Sequence, residues 1–540
     1  MRPRWLDVGW LVACAAASSL LCAHAGHRVG ATFDEPFYVA KGLESWRTGS
    51  NPALMTAGCM PLPVDALTLP LYLRERQSGV EVRPYDQLRD LLPTIRLATL
   101  PFWWLLLFYA WRWGRLAGGE WGGRFAVGFT AFEPNLLAHA ALATTDIAAT
   151  GTVLAAAFHW HVGRDATWPR RVLVPGVWYG VALCAKASAL AFVPLLFALH
   201  GLMHLDRADL TRRRVWPATW GVRRDLALTG GIGLIVVLGY CGCDWRPDPT
   251  FVVWADQLPE AWYKPAVQGV ARHLVIFPNG GEALVQQIKH NMRGHGAYVL
   301  GEYHPRAVWY YFPVALSAKL PLVVLWLAAV VLATRPRSLL TPVGAAVLLL
   351  FAFSFNCRVQ IGVRLVFPLV VFTLIWLATA WQQPAGRFGL WARVITLVGL
   401  VGVSVSTTPD NLLFVNRLYG GPDRGREVLA DSNYDWGQGL PALVEWHAGS
   451  GYAGEPLYVW YYGADPRVLL APFHLTEAHK WPDPTPDHLT RATGDGVLAV
   501  SVSLLDACPD RRPELLALVR WLRTQEVVGG TGCFVVVRLR

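Results

Sequence analysis

Over the first three quarters of the chain, long apolar blocks alternate with short polar, arginine-bearing segments. The blocks lie near Trp5–His24, Leu92–Trp113, Phe125–Leu142, Thr145–His161, Val172–Cys184, Ala187–His204, Leu226–Tyr240, Val308–Leu332, Leu339–Phe355, Leu365–Trp381 and Leu390–Val405. They read as about eleven membrane helices, at ~1.5 Å rise per residue across a ~30 Å hydrocarbon core. Two divisions rest on argument. The stretch from Arg124 to Gly163 is twice too long for one span and must turn, at Ala143-Thr144-Thr145-Asp146. Val172 to His204 could be one tilted helix or two short ones. Two helices put every arginine-rich short loop on one side: Arg112/Arg115/Arg124, Arg164/Arg170/Arg171, Arg207/Arg212/Arg213/Arg214/Arg223/Arg224, Arg335/Arg337 and Arg387/Arg393. One helix would invert the later loops. The positive-inside rule therefore favours two, with a cytoplasmic N-terminus and a retained first helix rather than a cleaved signal.

Outside the membrane this leaves a first loop (25–91), a second loop (242–307) and everything after residue 408. The expected fold class is a polytopic α-helical membrane protein, with residues 1–408 as the transmembrane part and 409–540 as a small external α/β domain. In the tail the pattern shifts to strand-like runs, Pro456–Tyr462, Gly496–Leu504 and Phe534–Leu539, with an amphipathic helix near Pro513–Thr524. Cys508 and Cys533 fall there, and a disulfide between them is left open.

Composition agrees. Hydrophobic residues make up 54% of the 540 and charged residues only 16%, with a mean hydropathy of +0.32; a soluble globular protein carries about 25% charge. A mainly soluble enzyme and a disordered chain are thereby excluded. The net charge of +10 fits basic cytoplasmic loops, and base-reading modules are absent, so no nucleic-acid partner is expected. The 26 tryptophans suit interfacial belts.

Candidate chemistry collects at the outer boundary. Asp34 and Glu35 follow the first helix, and Asp146 stands at the outer turn. Each aspartate could simply cap a helix; alternatively, Asp34 is a general base held at the membrane face, where carboxylates are costly and mark sites. Lys186 sits at the outer turn between two helices, where it could snorkel to the interface. Arg364 opens a later helix and Lys319 lies inside an apolar run. Such cations beside acids suit a lipid phosphate. The second loop adds His295 and Glu302 between glycines. No zinc-type Cys/His spacing occurs and no cofactor is called for, although a divalent metal is left open. A nucleotide-binding glycine loop is not evident, which speaks against a nucleotide-sugar donor.

Several segments, taken in order, resemble those of the GT-C glycosyltransferases. They are Asp34-Glu35 with Tyr38-Val39-Ala40-Lys41-Gly42; Pro134-Asn135-Leu136-Leu137-Ala138-His139 running to Thr144-Thr145-Asp146; and Lys186-Ala187-Ser188-Ala189-Leu190. Then follow Gly294-His295, Tyr298-Val299-Leu300-Gly301-Glu302, Tyr310-Tyr311-Phe312-Pro313, Gly362-Val363-Arg364-Leu365-Val366-Phe367-Pro368 and Asp431-Ser432-Asn433-Tyr434-Asp435-Trp436-Gly437-Gln438. The set is similar to the lipid-carrier-dependent family that includes protein O-mannosyltransferases and bacterial aminoarabinose transferases (glycosyltransferase family 39). One departure is Cys59-Met60-Pro61-Leu62-Pro63, where relatives often carry a histidine. The resemblance implies an inner-membrane enzyme that moves a sugar from a polyprenyl-phosphate carrier to a protein, lipid or glycan acceptor outside. It also implies Asp34 as the base with Glu35 and Asp146 supporting it, and Lys186, Arg364, His295, Glu302 and Lys319 toward the donor. Inversion is expected, since one carboxylate suffices for direct displacement. The alternatives are a lipid-linked polysaccharide ligase or polymerase, a transporter or flippase, and a non-catalytic envelope protein on the same fold.

Overall fold

The computed structural model describes residues 4–205, 219–242, 245–274, 280–381, 386–508 and 512–539. Arg207, Arg212, Arg213 and Arg214 of one basic loop lie outside the described residues. Helix covers most of every apolar block, and the two argued divisions appear as real turns. The chain breaks between Pro134–Ala140 and Asp146–Val162, and again between Val174–Ala185 and Ala189–Met203. The helix Leu100–Ala131 doubles back where Gly118 and Gly119 leave helical geometry. There Gly123 lies against Arg115 and Trp111, so close that a Cβ would meet the Trp111 ring at 3.2 Å. A residue without Cβ at φ 66, as at Gly119, lets the reversal form in two positions.

Two blocks differ from the one-helix expectation. Val308–Leu332 is two helices, Tyr311–Lys319 and Leu322–Thr334, bent by 112°. Pro321 between them supplies no N–H to continue the ladder. Phe125–Leu142 breaks before Pro134, where the Glu133 side chain accepts the Leu136 N–H at 2.7 Å and restarts the helix. By length and apolarity, four described stretches could each cross a membrane: Trp5–Arg28, Leu88–Ala131, Trp220–Cys241 and Arg387–Thr407. The bent pair makes a fifth. Ala189–Met203, Pro342–Ser354 and Val363–Thr379 are apolar but shorter.

The core is built on Phe367–Thr379, which is buried on every side. It packs against Leu100–Ala131 and Pro342–Ser354. A helix apolar all round belongs in such a position. The first loop forms helices Glu35–Thr48 and Pro61–Ser78, packed on each other, and Leu88–Leu97. The second loop carries Gly280–Arg293 and a hairpin, β1 (Ala297–Val299) and β2 (Glu302–His304), turning through Leu300 and Gly301, both at positive φ.

The tail holds a five-stranded sheet in the order β4-β3-β5-β7-β6, with β3 Leu457–Trp460, β4 Phe473–Leu475, β5 Val497–Ser501, β6 Glu526–Gly530 and β7 Phe534–Arg538. β3 runs parallel to β4 and β5, while β7 is antiparallel to β5 and β6. The central strand β5 is buried throughout, as its Val-Leu-Ala-Val run requires. Helix Pro513–Leu522 covers the sheet with Leu515, Leu518, Val519 and Leu522. Cys508 and Cys533 are both buried, and no disulfide joins them.

Candidate functional site

Asp34 and Glu35 are neighbours with opposite fates. Glu35 is wholly buried. Its carboxylate accepts from Arg96 Nε at 2.8 Å and Nη2 at 2.7 Å, from Thr32 N at 2.8 Å and from Ala143 N at 2.8 Å. Burial alone would raise its pKa, but the Arg96 guanidinium and these N–H groups overcome that and hold it below the usual value. Arg96 spends its remaining N–H groups on the carbonyls of Gly26, Val29 and Gly30. Glu35 therefore fastens the first loop to the turn before Asp146 and has no lone pair aimed at a substrate. Arg96 went unnoticed in the sequence, although an arginine inside the block Leu92–Trp113 is the signal that would have found it.

Asp34 occupies the N-cap position of helix Glu35–Thr48 but its side chain makes no capping bond. The carboxylate is 28% exposed, and Arg364 Nη1 lies 3.4 Å from Oδ2. Burial pushes its pKa up, and the Arg364 charge offsets this only in part. Such a carboxylate is ionisable, reachable and lightly held, which are the properties of a proton acceptor.

Asp146 is buried at the start of helix Asp146–Val162, where the helix dipole favours an anion. Lys186 Nζ sits 2.5 Å from Oδ1, Arg364 Nη1 3.5 Å from Oδ2 and His139 Nδ1 3.7 Å from Oδ2. Arg364 thus bridges the two aspartates. Lys186 reaches Asp146 because its own helix ends at Ala185 and its backbone turns extended. Arg364 is fixed further by Ser432 Oγ, 2.9 Å from Nε, and by the Trp436 ring, whose centroid is 4.1 Å from the guanidinium carbon. A Cβ at Gly362 would displace the Ser432 hydroxyl that holds Arg364.

The tail motif acts as a clasp. Trp436 O accepts from Phe33 N and Gln438 O from Gly30 N, at 2.9 and 2.8 Å. Asn433 accepts from Val363 N at 2.9 Å and donates to the Tyr311 hydroxyl at 2.8 Å. Lys319 belongs to this clasp: its buried ammonium donates to the carbonyls of Leu412 and Asn433, at 2.9 and 2.7 Å. It pins the bend before Pro321 to the tail rather than facing the Asp34 group. His295 is exposed at a cleft that also contains Tyr311, Asp431 and Tyr462. Glu302 projects into solvent on β2, 4.0 Å from His304. Cys59, the departure noted above, lies near Tyr38 and Asp34, and burial pushes its thiol up to about 11. Among the described residues no group of three or more His, Cys, Asp and Glu side chains is arranged to hold a metal ion.

No protein-family model and no curated protein matches the chain. Solved structures with a similar arrangement include ArnT from Cupriavidus metallidurans bound to undecaprenyl phosphate. It is 13% identical, with a TM-score of 0.46 and 98% of each chain covered. The same protein in the apo state is 14% identical, at a TM-score of 0.44 over 99% of this chain and 98% of that one. The apo oligosaccharyltransferase of Archaeoglobus fulgidus is 10% identical, at a TM-score of 0.46 over 93% of this chain and 71% of that one.

Proposed function

We propose that the chain is a multi-pass membrane glycosyltransferase. It moves a sugar from a polyprenyl-phosphate carrier to a hydroxyl or amine at the outer face, with inversion. The observation that carries this reading is the partly exposed Asp34 set against the Arg364–Asp146–Lys186 group. In the reaction the acceptor oxygen or nitrogen bonds to the anomeric carbon as Asp34 takes its proton. The bond from that carbon to the phosphate oxygen breaks, and polyprenyl phosphate leaves as an anion. Lys186 and Arg364 are the groups to stabilise that charge, and Asp146 holds both in place. With Glu35 locked to Arg96 and Asp146 enclosed by its cations, Asp34 is left to act as base in a direct displacement. The N-terminus is cytoplasmic in this reading and the tail external. The arginines of the short loops and the apolar helices support that orientation.

The test is transfer from a radiolabelled lipid-phosphate sugar by purified protein, with thermal stability measured alongside. Asp34→Asn is expected to lower transfer about 10²–10⁴-fold and to leave the fold intact. Near-normal turnover by this variant removes Asp34 as the base. A reporter fused after Arg540 that is active only in the cytoplasm overturns the orientation.

A further inference from the structure

Asp431 and Tyr462 belong to no step above, yet they occupy a distinctive place. Asp431 is held at φ 57, a left-handed conformation rare for a residue with a Cβ. Its Oδ1 accepts the N–H of Ser432 at 2.6 Å and its Oδ2 accepts the Tyr462 hydroxyl at 2.9 Å. Both residues are partly exposed and line a cleft whose other walls include Tyr298, Tyr303 and Tyr311. Each is one step from the proposed catalytic group. Ser432, next to Asp431, holds Arg364. Phe33, next to Asp34, stacks on Tyr462 with ring centroids 5.8 Å apart, and is itself 46% exposed.

The polar atoms of this cleft have defined vacancies. The Tyr462 hydroxyl donates to Asp431, so its oxygen is left to accept. Tyr311, buried in the cleft wall, is held by Asn433. Asp431 is an acceptor on both oxygens. Aromatic faces with a few fixed donors and acceptors suit a ring that is apolar on its C–H face and polar at its edge.

We propose that Asp431, Tyr462 and Phe33 form a carbohydrate subsite that holds the hydroxyls and C–H face of a neutral or amino pyranose beside Asp34. A sugar carboxylate is disfavoured by the Asp431 charge. The pyranose is either the one being transferred or the one receiving it. The inference rests on the proposed transferase reading for its purpose, but its binding test does not need turnover.

The probes are methyl glycosides of glucose, mannose, galactose and glucosamine, with methyl glucuronide as the charged control. Saturation-transfer NMR on the detergent-purified full chain reads their binding. At least one neutral or amino glycoside is expected to show transfer, and the glucuronide none. Tyr462→Phe keeps the ring and the fold but removes the hydroxyl; it and Asp431→Asn each cut the signal at least fivefold, and Phe33→Ala does likewise. Far-UV circular dichroism and melting temperature certify the fold of each variant. Failure of every glycoside to bind wild type, or signals unchanged in folded Tyr462→Phe and Phe33→Ala, overturns the subsite. Where turnover is measurable, Tyr462→Phe raises the KM of one substrate about tenfold, and whether this is the lipid donor or the acceptor identifies the source of the pyranose. Inactive wild type that still binds glycosides through these residues refutes the transferase reading alone.

Discussion

Two ends of the helical bundle each place buried aspartates among arginines, and they do so differently. At one end Asp7 is gripped by Arg124 at 2.6 Å and Arg115 at 3.1 Å, and Asp225 by Arg164 at 3.3 Å and Arg171 at 3.2 Å. At the other, Arg364 is shared between Asp34 at 3.4 Å and Asp146 at 3.5 Å, and Lys186 completes the group. The helices Arg4–Arg28 and Asp146–Val162 run between these ends. At the first end both aspartates are enclosed, and their cations tie separate segments together. At the second, one aspartate is enclosed and the other is partly exposed, and the two share Arg364. An enclosed pair stabilises a packing; a shared cation beside an exposed carboxylate leaves charge available for a visitor.

The sharpest break between the ends is Asp34→Asn. It is expected to lower transfer about 10²–10⁴-fold, the usual worth of a positioned base, without unfolding the protein. Asp7→Ala does the converse. Removing one partner of a buried ion pair costs about 3–5 kcal/mol, so unfolding in denaturant shifts strongly while turnover per folded molecule persists. Lys186→Met is smaller: it raises donor KM about 10–100-fold, the loss of one charge-assisted bond to phosphate, as initial-rate kinetics would register. The last effect is on pH. Asp34 has a raised folded-state pKa, so folding favours its protonated form. That contribution is full below the ordinary carboxylate range and is lost as pH rises through the folded value. Melting temperature at neutral pH is therefore slightly higher for Asp34→Asn than for wild type, and the gap closes toward pH ~4. The same raised pKa moves the acid limb of the wild-type kcat/KM profile above that of an ordinary aspartate.

Much of the helical layout was legible because apolar blocks and arginines carry it directly. The turn at Ala143–Asp146 and the break at Lys186 followed from length and charge alone. The bend at Pro321 was written in the sequence but was outweighed by the apolar run around it. The site was legible in part. Asp34, Asp146, Lys186 and Arg364 were named, and the structure brings these four together. Lys319 and Glu35 looked equivalent to them, because sequence shows a charge but not the carbonyls and guanidinium that consume it. Strands β4 and β6 were missed: one is three residues long and the other ends in glycines, so neither alternates long enough to announce itself. Asp431 and Tyr462 meet across a tertiary contact that no local spacing encodes.

The clasp between Phe33 and Trp436 has a consequence for biosynthesis. In order of synthesis Asp34 precedes Arg364, and the Ser432–Gln438 segment follows both. A nascent chain therefore carries Asp34, the proposed base, before the cation and the strap beside it have been made. Assembly of this group waits on the tail reaching the first loop. In the proposed reading competence therefore requires the tail motif, and chains stalled before the clasp are expected to be inert rather than partly active.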